Sequence, residues 1–378
     1  MKKALFLMLN RSHDQNSIKD GGPALTSELT KALKRKNYSI DYISGNDMAK
    51  TKQHSDLSPL LQRIQKANEF GKFVDKNIFK DYDLIFLSHP STAMGFEATD
   101  FPIEKTVLFP TLLGREYAHF MEVPKEYIDL EKKILSFGYK IQTPSNQQFK
   151  ILNEEYNVPK ENILIKQRGF SPSIFPIKVR HLRNDVSKEK PLRLMSANAV
   201  RPQKGYMELI DIVDFCIKKE LPVQIVIYGD TIQSSNETYL KYAQNFVDKV
   251  QEKNLQEYFE FHPSVEQELL SKEMEKVDLA IIPSIYESFG KSALEASASG
   301  LPTIVFDDIS VYREFLNDQT AIFTKRNPKD FYKSIIELIS APEKYNNISI
   351  SGIENGKKYV SENIYDELIQ EIEDISSN

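Results

Sequence analysis

The sequence holds one cysteine in 378 residues, no tryptophan, six histidines and 14 glycines. A single thiol excludes an intrachain disulfide framework and a multi-cysteine zinc site. Cys216 sits in the helical pattern MELIDIVDFCIKK and reads as a buried apolar residue. An excess of basic charge is also missing. Lys and Arg total 49 against 54 Asp and Glu, a net charge of −5. That balance argues against nucleic acid as a partner, since binders of it carry a basic footprint. No stretch approaches the roughly 20 apolar residues of a membrane span. The apolar run Ala4–Leu9 is followed by Asn10-Arg11-Ser12-His13-Asp14. It is shorter than the roughly 7–15 residues of a signal-peptide core and lacks a small-residue cleavage site. It reads as a first, buried β-strand. The expectation is a cytoplasmic protein, with peripheral contact at the inner face of a membrane left open.

What is present is alternation. Short apolar runs predict strands at Ala4–Leu9, Ser39–Ile43, Leu84–Ser88, Val107–Leu112, Lys140–Thr143 and Ile163–Lys166. A second series falls at Arg193–Ala197, Val223–Tyr228, Phe259–His262, Leu279–Pro283, Thr303–Phe306 and Ala321–Thr324. Amphipathic stretches lie between them. In Pro23–Lys36 the residues Leu25, Leu29, Ala32 and Leu33 share one helical face. Further helices are expected at 60–79, 129–136, 146–155, 206–219, 237–253, 266–276, 292–298 and 328–339. Strand–helix alternation of this kind specifies parallel sheets with helices on both faces, an α/β class. At 378 residues, two such units are expected, spanning 1–172 and 192–362. The proline-containing, charged stretch at 173–191 reads as their linker. The C-terminal stretch 363–378 places Ile364, Leu368, Ile372 and Ile375 at helical spacing and is expected to dock back on the first unit. Two such units imply a cleft, and ligands bind beyond the C-terminal ends of the strands.

The strongest motif is PSIYESFGKSALEASASGLP, 283–302. A strand ends near Ser284 and a helix starts near Ser292. Ser288, Phe289, Gly290 and Lys291 present successive backbone N–H groups just before that helix, where an anion is stabilised. Gly290 allows a close approach to a phosphate. Glu287 lies in the loop and Glu295 one turn into the helix. A carboxylate accepts hydrogen bonds only, so Glu295 suits the vicinal hydroxyls of a ribose. The bland alternatives are a solvated loop acid for Glu287 and a helix-start charge for Glu295.

Glu287-x7-Glu295 within ESFGKSALEA, followed by SGLP, resembles the signature of retaining glycosyltransferases of the GT-B fold, family 4 (glycosyl transferases group 1). The resemblance extends along nearly the whole chain. SANAVRPQKGYMELID (196–211) is similar to the family's strand and basic diphosphate loop. VQIVIYGD, ending in Gly229 and Asp230, is similar to its strand with a glycine loop. TPSNQQFKIL (143–152) and RGFSPSIF (168–175) resemble the end of its first domain.

The resemblance implies two Rossmann-like domains facing a cleft. It also implies transfer of a hexose from a UDP-linked nucleotide-sugar to a hydroxyl acceptor in bacterial surface glycan or glycoconjugate synthesis. The acceptor would be a sugar, a lipid-linked glycan or a glycosylated protein. The acid at Glu287 would contact the donor sugar and that at Glu295 the ribose. Lys204 and Arg201 would neutralise the departing diphosphate, as Arg binds it bidentately and Lys as a point charge. Gly21 and Gly22 resemble the glycine loop of the first domain, although they also suit an ordinary helix entry.

Two family positions differ here. Arginine usually stands five residues before the lysine, where this chain has Ala199, and a first-domain histidine is replaced by Leu113. His119 is the nearest substitute for that histidine, and His89 closes another predicted strand. These departures keep alive a catalytically weakened, sugar-nucleotide-binding partner subunit as the alternative. Asp81-Tyr82-Asp83 mimics a metal-binding D-x-D but precedes its strand, away from the C-terminal ends. No metal and no cofactor are therefore expected.

Overall fold

The computed structural model describes residues 1–9, 21–48, 57–173, 175, 177–229 and 237–376. The chain forms two compact units, Met1–Gly169 with Ser361–Asn378, and Phe170–Val360.

In the first unit the strands are β1 (Lys2–Met8), β2 (Tyr38–Ser44), β3 (Leu84–Leu87), β4 (Thr106–Leu108), β5 (Lys140–Thr143) and β6 (Ile163–Ile165). They pair in parallel in the order β2-β1-β3-β4-β5-β6. β3 is buried on both faces, as a parallel strand covered by helices must be. The helices are α1 (Gly21–Arg35), α2 (Pro59–Phe73), α3 (Pro90–Ala93), α4 (Gly114–Tyr117), α5 (Lys125–Leu135) and α6 (Asn146–Lys150). The helix expected across 60–79 ends at Phe73, where Val74 turns extended, and a separate 3-10 turn covers Lys76–Asp81.

In the second unit the strands are β7 (Leu192–Ser196), β8 (Val223–Tyr228), β9 (Phe259–His262), β10 (Leu279–Ile282), β11 (Thr303–Phe306) and β12 (Ile322–Thr324). Their parallel order is β12-β11-β10-β7-β8-β9. The direction of winding reverses between β7 and β10, so the loops leaving those two strands border the ligand crevice of a doubly wound sheet. The helices are α7 (Met207–Lys218), α8 (Glu237–Glu252), α9 (Gln267–Met274), α10 (Lys291–Ala298), α11 (Pro328–Ile339) and α12 (Pro342–Gly356). Cys216 is fully buried in α7, and burial pushes its thiol up to about 12.

The final helix, α13 (Ser361–Ser376), belongs to the first unit. Ile364, Tyr365, Leu368, Ile369 and Ile372 are buried along it. Charges flank that stripe: Arg35 pairs with Asp366 at 2.7 Å, Lys166 with Glu367 at 2.7 Å, and Lys2 with Glu373 at 2.6 Å. The expected helix end at 377–378 lies outside the described residues.

The stretch expected to be a linker behaves otherwise. Phe175 is buried among Phe170, Phe289 and Leu294 of the second unit. The Lys178 N–H donates to Ser299 O, and Arg183 pairs with Asp278. The stretch is a strap across its own unit. Its charges and prolines mask the few apolar anchors that hold it.

Candidate active site

The loop after β7 is held in place by its own backbone. Tyr206, fully buried, donates from its hydroxyl to Asn198 O at 2.7 Å. Pro202–Lys204 form a 3-10 turn closed by Gly205 at φ 62°. A Cβ on Gly205 would stand 2.1 Å from Pro283 O, so only glycine lets this loop reach the end of β10. The Ile285 N–H donates to Gln203 O at 2.9 Å and joins the two loops.

This juncture brings Lys204 to Glu287. Nζ lies 2.6 Å from Oε1, in an ion pair whose side chains are 20% and 10% exposed. Ser284 Oγ donates to the same Oε1 at 2.7 Å. The buried Tyr312 phenol lies nearby. Desolvation first, and then the Glu287 charge, push its pKa well above the ordinary phenol value, so it stays neutral.

α10 starts at the same place. Gly290 caps it at φ 93°, where an added Cβ would meet the Tyr312 ring at 2.5 Å. The first turn of a helix carries N–H groups without intrahelical acceptors. Lys291 and Glu295 pair one turn apart, Nζ to Oε1 at 2.8 Å. Asn198 Nδ2 reaches Ser292 Oγ at 3.2 Å and ties the β7 loop to the helix start. Gly229, at the end of β8, touches the same loop: a Cβ there would stand 2.0 Å from Asn198 O.

Lys204, Ser284, Glu287 and Gly229 thus lie on loops at the C-terminal ends of β7, β8 and β10, with Lys291, Ser292 and Glu295 in the first turns of α10. Other expected residues behave differently. Phe289 is 3% exposed and stacks on Phe315 at 4.6 Å, so its side chain anchors the loop inward. Arg201 holds its guanidinium over the Tyr239 ring of α8 at 5.2 Å. Ser288 lies in the bend before α10. Asp230 lies outside the described residues.

In the first unit, Gly21 and Gly22 open α1, and Asp20 before them lies outside the described residues. His119 is exposed in the turn after α4. His89 follows β3 and caps α3. Its Nδ1 accepts from the Ser91 N–H at 3.0 Å, which leaves Nε2 to donate to Leu112 O at 2.9 Å. Leu113, fully buried, stands at the N-terminus of α4. Asp83 accepts from the Lys3 N–H at 2.7 Å, at the N-terminal ends of the strands.

Sequence reasoning missed three groups. Glu116 and Glu131, both fully buried, hold the loop after β4. Glu116 Oε2 accepts from the Leu113 N–H at 2.6 Å and from Gln148 Nε2 at 2.7 Å. Glu131 Oε2 accepts from the Gly114 N–H at 2.7 Å and from Tyr156 OH. Burial pushes the Glu131 carboxyl up to about 8, with Glu116 adding to it, against the lowering effect of Tyr156, Gly114 and Arg63. Asn198 and Arg326 are the other omissions. Asn198 directly follows the apolar run and Ser196-Ala197, the one local signal that could have marked it.

Residues 179–355 match the family model described as glycosyl transferases group 1. The mannosylfructose-phosphate synthase of Agrobacterium fabrum (strain C58 / ATCC 33970) is 24% identical over 181 residues, 47% of this chain and 39% of that protein. The chain therefore aligns with well under half of that relative's length.

Among solved structures, the sucrose-phosphate synthase of Thermosynechococcus elongatus superposes with a TM-score of 0.78 at 16% identity, covering 100% of both chains. Anabaena HepE in complex with UDP-glucose superposes at 0.69 and 16% identity, covering 98% of this chain and 99% of that one. These likenesses identify the fold as GT-B, with two Rossmann-like units. Among the described residues no helix is long and apolar enough to cross a membrane.

Proposed function

We propose that this chain, whose residues 179–355 match the glycosyl transferases group 1 model, is a retaining, metal-independent transferase. It moves a hexose from a UDP-linked nucleotide-sugar to a hydroxyl acceptor in bacterial surface glycan or glycoconjugate synthesis. The observation that carries this reading is the Lys204–Glu287 pair at the topological switch, beside the N-terminus of α10.

A diphosphate leaving group gains charge as the C1–O bond breaks, and cations already in place lower that barrier without reorganisation. Lys204 and the first turn of α10 supply positive potential. Glu295 receives the ribose hydroxyls and Glu287 the donor sugar. Arg201 turns from the Tyr239 ring toward the phosphates when the donor binds. Retention follows from front-face attack: the acceptor oxygen bonds C1 on the face the phosphate leaves, and its proton passes to the leaving phosphate oxygen. No protein nucleophile is required. We place the reaction in the cytoplasm, in peripheral contact with the inner membrane face where the acceptor is lipid-linked.

The test incubates the protein with UDP-sugars and a panel of acceptors, with and without EDTA, reading UDP release and product anomeric configuration by NMR. Retained configuration and EDTA-insensitive release are expected. An inverted product overturns retention, and loss with EDTA restored by Mn²⁺ overturns metal independence. UDP-sugars that neither react nor raise the melting temperature overturn the assignment, since a ligand that binds only the folded state must stabilise it.

A further inference from the structure

Arg326 lies in the loop after β12, two residues beyond Thr324 and one before the α11 cap Asn327, whose side chain accepts from the Asp330 N–H at 2.9 Å. Its backbone position is therefore fixed by a helix start. The guanidinium spans three loops. Nη1 donates to Pro283 O at 2.9 Å and Nη2 to Ser284 O at 2.6 Å, at the end of β10. Nε and Nη2 grip the Asp308 carboxylate at 2.7 and 2.9 Å, in the loop after β11. The plane rests on the Phe306 ring at 4.3 Å, and Glu208 of α7 lies 3.9 Å from Nη1. The side chain is 17% exposed.

These donors are directed at protein atoms, so Arg326 has little to offer a ligand directly. What it holds is informative. Ser284 presents its carbonyl to Arg326 and its hydroxyl to Glu287 Oε1. Rotation of that residue would withdraw the hydroxyl from Glu287. On the other side the same segment is pressed by Gly205 and bonded to Gln203 O through the Ile285 N–H. Residues 283–286 are thus clamped between the Lys204 loop and Arg326, and the Glu287 carboxylate is aimed by that clamp.

We infer that Arg326 is a positioning residue for Glu287, acting on the donor sugar's end of the site and not on the nucleotide's. The inference rests on the function proposed above. Lysine cannot replace it: an ammonium is one compact centre and cannot bridge two carbonyls and a carboxylate in a plane.

The experiment compares wild type with Arg326→Lys, Arg326→Ala and Asp308→Asn in the full chain, measuring kcat and KM for donor and the affinity for UDP alone. Arg326→Lys is expected to lower kcat about 10- to 100-fold, the range for a small misplacement at a reacting centre. UDP affinity should stay within about twofold, because Lys291, Ser292 and Glu295 lie on α10. Methylguanidinium should restore activity to Arg326→Ala, and methylammonium should not. Asp308→Asn, at a partly exposed carboxylate, should show the same pattern more weakly; it decides the matter if the Arg326 variants do not fold. Unchanged kcat, a parallel fall in UDP affinity, or equal rescue by methylammonium overturns the inference while the function stands. Absence of transfer by wild type overturns both.

Discussion

Replacing Glu131 by glutamine should remove a pH dependence built into the first unit. The carboxyl is fully buried, Oε2 is occupied by the Gly114 N–H and Tyr156 OH, and Oε1 is buried with no partner. A proton on the carboxyl spares the fold a buried charge. The group sits at about 8 against an ordinary 4.5. Between those values the native state holds one proton that the unfolded chain has lost. Stability therefore falls with rising pH by about 1.4 kcal/mol per pH unit. The contribution is complete below pH 4.5 and gone above about 8. Integrated over that window it comes to about 5 kcal/mol. Arg63, Glu116, Tyr127 and Tyr156 face the same carboxyl and are retained in the variant.

Glutamine keeps an acceptor for Gly114 and Tyr156 and carries no titratable proton. The assay is hydrogen exchange by mass spectrometry on peptides covering 106–135, corrected for intrinsic rates, from pH 5 to 8.5. The opening free energy of wild type should fall relative to Glu131→Gln as pH rises, with most of the change complete by about pH 8. A difference that stays flat from pH 5 to 8 refutes the buried-proton argument. Loss of exchange protection in the variant at pH 5 would show that the bonds to Gly114 and Tyr156 need the carboxyl itself.

Lys204→Met should lower turnover about 100- to 1,000-fold, the range for removing one pre-placed stabiliser of developing charge, with the loss read in steady-state UDP release. Glu295→Ala should weaken nucleotide binding by roughly 1–3 kcal/mol, the range for bonds to a charged group, as measured by calorimetry on a folded variant. Gly229→Ala should displace the β7 loop because its Cβ would meet Asn198 O, and a loss of donor affinity beside an intact far-UV spectrum would show this. Cys216 should resist thiol reagents in the native protein and react on unfolding, since its raised pKa and burial remove the thiolate.

The strands were legible because short apolar or alternating runs stand between turns and amphipathic stretches, and all twelve form where that alternation placed them. α12 was not. Its sequence PEKYNNISISGIENG offers glycines where a helix face normally shows leucine. A Cβ on Gly352 would stand 2.5 Å from Ser297 O, and one on Gly356 would stand 2.4 Å from the Ala298 side chain. The face is built for close backbone approach, which a hydrophobic count cannot register. Glu287 and Glu295 stood out in one local motif and Lys204 in another, and the fold brings Lys204 against Glu287. Arg326 was hidden because its partners Pro283 and Asp308 lie 43 and 18 residues earlier in the chain. Nothing in the local sequence marks Glu116 and Glu131, and only packing shows that both are buried.

The return of α13 to the first unit has a consequence for synthesis. Phe170 pairs with Val360, so the second unit's entry and exit points adjoin. That unit is an insertion in the first, and all of its strands have left the ribosome before the residues that complete its host. The second unit can therefore fold while the chain is still growing. The first must wait, with the groove for Ile364, Leu368 and Ile372 uncovered, until Ser361–Ser376 emerges. Emergence of Ser361–Ser376, and not translation of its own β-strands, is the step that lets the first unit close its core.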